Sequence, residues 1–289
     1  MKRFFYILTL FVAYFANVEF GCSQNLSVQD SVFNLYIDFV RSASAKLKTE
    51  NSANFLKALE VALLSDSKGQ LAFDSLFKYK ALIQTPDKQV RIFTWDVEAD
   101  DGTHTYYGFI HAYIKKFKKY ELYKLTDKSE GIRDPENAVL DNTKWFGAYY
   151  YEIIPVKYRK KIQYVLLGWD GNSRISNKRL IDVLYFSDKG FPKFGASVFS
   201  NEQGKIKKRI IFEFQSELFM SLKYDASKES IMFDHLSPSN PSLEGQYSFY
   251  GPDFSYDMLQ FKKGKWIYLK DVLPRNGKDK SDKYFNSPK

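Results

Sequence analysis

The sequence predicts an α+β chain that is mainly β, with a short N-terminal helical segment followed by a large antiparallel β meander, sandwich or barrel. Three observations carry this expectation. Apolar residues recur at three- and four-residue steps between Val28 and Leu64, then at every second position from Gln89 onward, which are the periods of a helix face and a strand face. Aromatic residues make up 18% of the chain, with 26 Phe and 21 Tyr, and such rings fit a pleated surface better than a helix interior. Glycine or charged turns then follow at short spacing, which favours antiparallel neighbours over βαβ crossovers.

In chain order, residues 1–23 read as a secretory signal peptide. Lys2 and Arg3 precede the apolar run Phe4 to Ala16, which is too short to span a membrane comfortably, and Asn17 to Ser23 is more polar. Gly21 and Ser23 suit the −3 and −1 positions of a cleavage before Gln24. Cys22, the only cysteine, carries a second reading as the lipidated first residue of a bacterial lipoprotein, against which Glu19 and Phe20 stand where aliphatic and small residues are expected. With cleavage after Ser23 the mature chain has no cysteine, hence no disulfide and no thiol chemistry. The expected location is exported, periplasmic or outer-membrane-associated, with no transmembrane span in the mature chain.

Residues 24–88 form the expected helical segment. Val28, Val32, Leu35, Tyr36, Phe39, Val40, Ala43 and Leu47 define one face; Asn51 or Ser52 is positioned to cap a second helix over 55–64, and a third is expected over 71–82. Residues 89–273 form the β-rich domain. Its first hairpin joins 90–97 to 105–114 through Glu98-Ala99-Asp100-Asp101-Gly102, and its centre is the hairpin over 160–186, whose strand Ile162 to Leu167 reads as buried on both faces. Further strands are expected at 120–125, 145–156, 196–199, 209–214, 219–224, 230–235, 247–250, 256–261 and 266–271. Residues 274–289 read as a disordered basic tail.

The formal charge is +9, and lysines gather at Lys115 to Lys119, Lys157 to Lys161, Lys205 to Arg209 and Lys262 to Lys265. Lysines at strand ends keep sheet edges from pairing with other chains, and no nucleic-acid motif accompanies them, so no specific nucleic-acid partner is expected. No Walker loop, dinucleotide fingerprint or HExxH is present, so no cofactor is expected, and no Gly-x-Ser-x-Gly elbow marks a nucleophile.

Four groups of residues have ligand-capable chemistry. Asp96, Glu98, Asp100 and Asp101 surround one turn, but the glycine comes too late for an EF-hand and turn chemistry is the expected role. Trp169, Asp170, Asn172 and Ser173 occupy the central hairpin, where Asp and Asn also hydrogen-bond their own backbone. His104 and His111 are seven apart on one strand and so point to opposite faces. His235 follows Asp234, but neighbours on a strand point apart. Gly251-Pro252-Asp253 reads as a turn that places Asp253 and Asp257 near a sheet rim. If that rim adjoins the central hairpin, Trp169, Asp170, Asn172, Tyr250, Asp253 and Asp257 make an acidic, aromatic pocket for a sugar or cation.

The stretches LLGWDGN at 166–172, Phe191-Pro192-Lys193-Phe194-Gly195, Asp234-His235-Leu236-Ser237-Pro238, the run from Tyr250 to Asp257, and Gly264-Lys265-Trp266 give the chain its most distinctive text. Over Trp145 to Val272 it resembles a group of uncharacterised exported bacterial proteins. The resemblance implies export and a shared β-rich fold, and no activity. The expected function is a non-enzymatic envelope interaction or accessory module with an envelope protein or glycan as partner; the alternative is a carbohydrate-binding protein or glycan hydrolase using a carboxylate cluster.

Overall fold

A computed structural model describes residues 27–158 and 161–272; the expected signal peptide with Cys22 and the tail over 274–289 lie outside them. Among the described residues the order is three α-helices followed by sixteen strands, with three short 3-10 turns between strands. Helix α1 (Val28–Val40) starts at Ser27, whose side chain accepts a hydrogen bond from the Asp30 amide at 3.2 Å. Helix α2 (Ala45–Ser65) is capped by Ser44 and runs straight through Asn51 and Ser52. Those two residues do not cap it because both are engaged elsewhere. Asn51 clamps the α1–α2 turn through the Ser42 hydroxyl at 3.0 Å, and the buried Ser52 hydroxyl accepts from the Trp95 indole at 2.8 Å.

The third helix, expected over 71–82, is only α3 (Asp74–Lys78). Left-handed backbone at Phe73 and Lys80 bounds it, and Leu82 and Ile83 instead open strand β1 (Leu82–Gln84), paired with Arg91 to Phe93. Burial of two large apolar residues in a sheet outweighs one more turn of helix.

Among the described residues the strands make three antiparallel-dominated sheets and no closed barrel. The first contains β1, β2 (Val90–Glu98), β3 (His104–Ile114) and β4 (Lys119–Thr126) in that order. The middle sheet orders β5 (Leu140–Asp141), β9 (Pro192–Phe194), β8 (Ser176–Phe186), β7 (Lys161–Asp170) and β6 (Tyr149–Tyr158). Strand β12 (Ile210–Gln215) joins it by pairing with Ser176 to Ile181 of β8, while β9 takes Leu184 to Phe186. The outer sheet orders β11 (Ile206–Lys207), β10 (Phe199–Ser200), β16 (Lys265–Leu269), β15 (Tyr250–Lys262), β14 (Ser230–Pro238) and β13 (Leu222–Asp225).

Three apolar cores separate these layers. Phe93, Trp95 and Val97 pack with Phe55, Leu59 and Leu63 of the helices, while Ile92, Tyr106 and Ile110 face Tyr150, Leu166 and Leu180 of the middle sheet. Val165, Leu167, Ile181 and Val183 point the other way, onto Phe233, Leu259 and Trp266 of the outer sheet. The central hairpin β7–β8 is therefore covered on both faces from Val165 to Gly168, as its continuous apolar run predicts. Ile162 departs from that expectation: it is 44% exposed, at the end of the layer.

Several boundaries also differ from the sequence pattern. Trp145 is fully buried but outside β6; its backbone bridges to Asp127 and its indole donates to the Tyr150 hydroxyl at 3.2 Å. Tyr247–Phe249 is a 3-10 turn rather than a strand. Gly251-Pro252-Asp253 is not a turn: it lies inside β15, because Leu236, Ser237 and Pro238 extend β14 and supply ladder partners for Pro252, Gly251 and Tyr250.

Candidate functional site

The β14–β15 ladder contains an irregularity that builds the site. Asp234 pairs with Tyr256 and Leu236 with Pro252, so His235 alone stands opposite Asp253, Phe254 and Ser255. The extra residues bulge outward, Phe254 taking φ +69° and becoming 95% exposed. A bulge re-aims the side chains beside it, and here it brings two carboxylates of β15 to one imidazole of β14. His235 Nδ1 lies 2.6 Å from Asp257 Oδ2, and His235 Nε2 lies 4.0 Å from Asp253 Oδ2.

Asp257 is 1% exposed and highly coordinated. Besides His235, it accepts hydrogen bonds from the Tyr268 hydroxyl and from the Asp271 amide at 3.1 Å. Burial and the adjoining Asp257 charge push the Tyr268 phenol well above its ordinary range. Asp253 folds back on the bulge, accepting from the Ser255 amide at 3.1 Å and hydroxyl at 2.7 Å. Its burial acts to raise the carboxyl, but these hydrogen bonds and His235 together hold it below the usual carboxylate range.

His235 and Asp257 line a cleft of about 600 Å³, within the rough 300–1,000 Å³ span of small-molecule sites. One wall is the edge strand β12, with Phe212 and Glu213; the other is the outer sheet, with Asp234, Tyr250 and Tyr268. Asn201, Glu202 and Gln203 close one side, and residues of the 129–136 segment close another. Tyr247 and Tyr250 stand with ring centres 5.1 Å apart at the mouth.

Of the residues expected to form one pocket, Tyr250 and Asp257 line the cleft, and Asp253 reaches its histidine. Asp170, Asn172 and Trp169 do not line it. Asp170 is buried at the base of the hairpin, accepting from the Tyr106 hydroxyl at 3.0 Å and the Asn172 amide at 2.8 Å. Burial raises its carboxyl, opposed chiefly by Lys178. Asn172 has φ +47° and binds Ser176 and Lys178, and the Ser176 hydroxyl donates to Glu213 at 2.7 Å. Only the outer members of this network, Lys178 and Glu213, reach the cleft. Trp169 packs instead against the edge of the His104 ring at 5.4 Å.

The other groups are structural neighbours of the sheets. Asp101 accepts from the Thr103 amide and hydroxyl at 2.9 and 2.6 Å, which is the expected turn chemistry. His104 meets Asp96 at 2.8 Å; burial acts to lower this histidine, but the Asp96 hydrogen bond and charge outweigh it and leave it raised. On the opposite face of β3, His111 is buried against Arg91, and burial with that charge lowers it to about 4. Among the described residues no group of three or more His, Cys, Asp or Glu side chains is arranged to hold a metal ion.

Tyr268, Lys178 and Glu213 escape the sequence reading, and His235 is legible only as the neighbour of Asp234. Asp234 is the apparent partner of His235, yet its carboxylate turns away to the Ser221 amide at 2.7 Å. The true partner, Asp257, is 22 positions on, and only the pairing of β14 with β15 through the bulge brings the two together. No family model matches the chain, and no curated protein or solved structure matches it.

Proposed function

We propose that the chain is an exported, non-enzymatic accessory protein of the cell envelope that binds a glycan in the cleft between β12 and the outer sheet. The carrying observation is the composition of that cleft: the rings of Phe212, Tyr247, Tyr250 and Tyr268 share its walls with the acidic residues Asp257 and Glu213 and the amides Asn201 and Gln203. A sugar presents an apolar ring face and a girdle of hydroxyls that donate and accept. Flat aromatic faces cover the first, and carboxylates and amides satisfy the second. A site built to hydrogen-bond hydroxyls discriminates strongly, because its polar groups are left unpaired by the wrong ligand. The predicted signal peptide supports export, and the strongly exposed Phe254 at the bulge adds a contact for a polymer or envelope partner outside the cleft.

The test is calorimetric titration with a panel of bacterial envelope and plant or host oligosaccharides. Tyr250→Ala and Glu213→Gln are each expected to weaken the bound member about tenfold or more, the cost of one lost ring contact or hydrogen bond in a desolvated site. A panel without a binder, or affinity unmoved by both substitutions, overturns the reading.

A second reading, hydrolysis of that glycan, is favoured by one specific arrangement. Asp257 holds Nδ1 of His235, so Nε2 is the nitrogen left to take a proton from a cleft water, beside Asp253. Product formation from the bound oligosaccharide that disappears in His235→Gln would establish it; unchanged oligosaccharide after prolonged incubation would leave binding as the function.

A further inference from the structure

A second cleft lies at the opposite type of location, where turns of the first and middle sheets converge. It encloses about 580 Å³; Ile114, Tyr164 and Phe186 give it an apolar floor continuous with the core between those sheets, and Pro155, Val156 and Ile162 of β6 and β7 add an apolar rim. Tyr164 and Phe186 meet nearly edge to face, ring centres 6.3 Å apart. Gly190 lets the 187–191 turn close over Ile114: at φ +91°, a Cβ there would fall 2.8 Å from the Ile114 methyl, and the Tyr123 hydroxyl holds its carbonyl at 2.8 Å.

The mouth is basic. Lys115 and Lys116 come from the β3–β4 turn and Lys157 from the end of β6, so the fold delivers two separate lysine-rich runs of the sequence to one opening. None of the ion pairs among the described residues engages these three exposed lysines. Two carboxylates share the mouth: Asp87, occupied by Thr85 and the Gln89 amide, and Asp188.

We propose that this cleft binds a single-chain anionic amphiphile, a long-chain carboxylate taken up as a monomer. The chain lies in the apolar interior and the carboxylate meets Lys115, Lys116 and Lys157. An apolar interior alone would accept a neutral chain equally well; three cations at the opening, outside every ion pair among the described residues, select a charged head. The concave form, set between two sheets, suits one chain rather than the flat face of a bilayer. This site is separate from the glycan cleft and stands or falls independently of it.

The experiment uses the fluorescent long-chain carboxylate cis-parinaric acid, displaced by palmitate or by hexadecanol, with Lys115→Ala/Lys116→Ala/Lys157→Ala and Ile162→Asp variants. Ile162 is already 44% exposed, so a charge there can block the cleft without entering the core; thermal melts of both variants verify folding. Saturable one-to-one probe binding, with palmitate displacing at about tenfold lower concentration than hexadecanol, is expected. The lysine variant should lose about tenfold in palmitate affinity, the sum of a few partly exposed ion pairs, and Ile162→Asp should lose it entirely. No saturable binding, equal potency of the alcohol, folded variants that bind as the parent does, or association only with anionic phospholipid vesicles would each overturn the proposal.

Discussion

Asp257 is tied to His235 at 2.6 Å although the two lie 22 residues apart, and a bulge of three residues against one makes the contact. Because the carboxylate also accepts from Tyr268 and Asp271, it is the acceptor for three donors in a buried position. Asp257→Asn would turn an amide donor towards some of them. The expected loss of stability is about 1–3 kcal/mol, read from urea unfolding, and an unchanged midpoint would show that this carboxylate does not organise the bulge.

The pair Arg209 and Asp182 lies at 2.6 Å with both side chains fully buried, and Arg209 also bonds the Pro135 carbonyl. It thereby anchors the 129–136 wall of the glycan cleft to β8. Removing one charge leaves the other buried and alone, so Arg209→Leu or Asp182→Leu should each cost about 3–5 kcal/mol. The double variant should lose less than the two singles added together; strict additivity in the cycle would contradict direct coupling.

His111 predicts a pH effect of defined sign. Its folded pKa, lowered to about 4 by burial and Arg91, lies below the unfolded value near 6.5, so the unfolded chain takes up a proton that the folded chain refuses. Stability from this residue is intact above pH 6.5 and falls as pH drops to about 4, by of order 3 kcal/mol. His104, raised, acts oppositely: its contribution is present below the unfolded value and lost as pH rises through its folded one. Urea unfolding from pH 7 to 4 should therefore show a shallower decline for His111→Gln, which keeps an acceptor for Arg91, than for the parent. Parallel curves would refute the assignment.

Asp170 and Asp253 look alike in sequence and should behave differently. Asp170 is 6% exposed and supports the hairpin through Tyr106 and Asn172, so Asp170→Asn should cost about 1–3 kcal/mol of stability. Asp253 is partly exposed beside His235, and Asp253→Asn should leave the unfolding midpoint within about 0.5 kcal/mol while weakening ligand capture. Equal destabilisation by both would make Asp253 a turn residue.

Local pattern accounts for the helical start, most strands and the doubly covered hairpin, since burial on one face or two writes a period into the chain. The expected acidic pocket was half legible. Tyr250 and Asp257 do line a cleft, but Gly251-Pro252-Asp253 carries turn residues in a place where neighbouring Leu236 to Pro238 keeps the backbone extended. Asp170 and Trp169 carry ligand chemistry and spend it on Tyr106, Asn172 and His104.

Residue order determined which segments are amphipathic, where the central hairpin turns, and that His104 and His111 face apart, because these depend on spacings of a few residues. Which carboxylate serves His235, how Lys115 and Lys157 come to one opening, and that Lys178 and Glu213 rather than Asp170 face the glycan cleft were decided by the tertiary structure. Strand register and layer packing couple residues tens of positions apart, and no periodicity within either segment records which partner it meets.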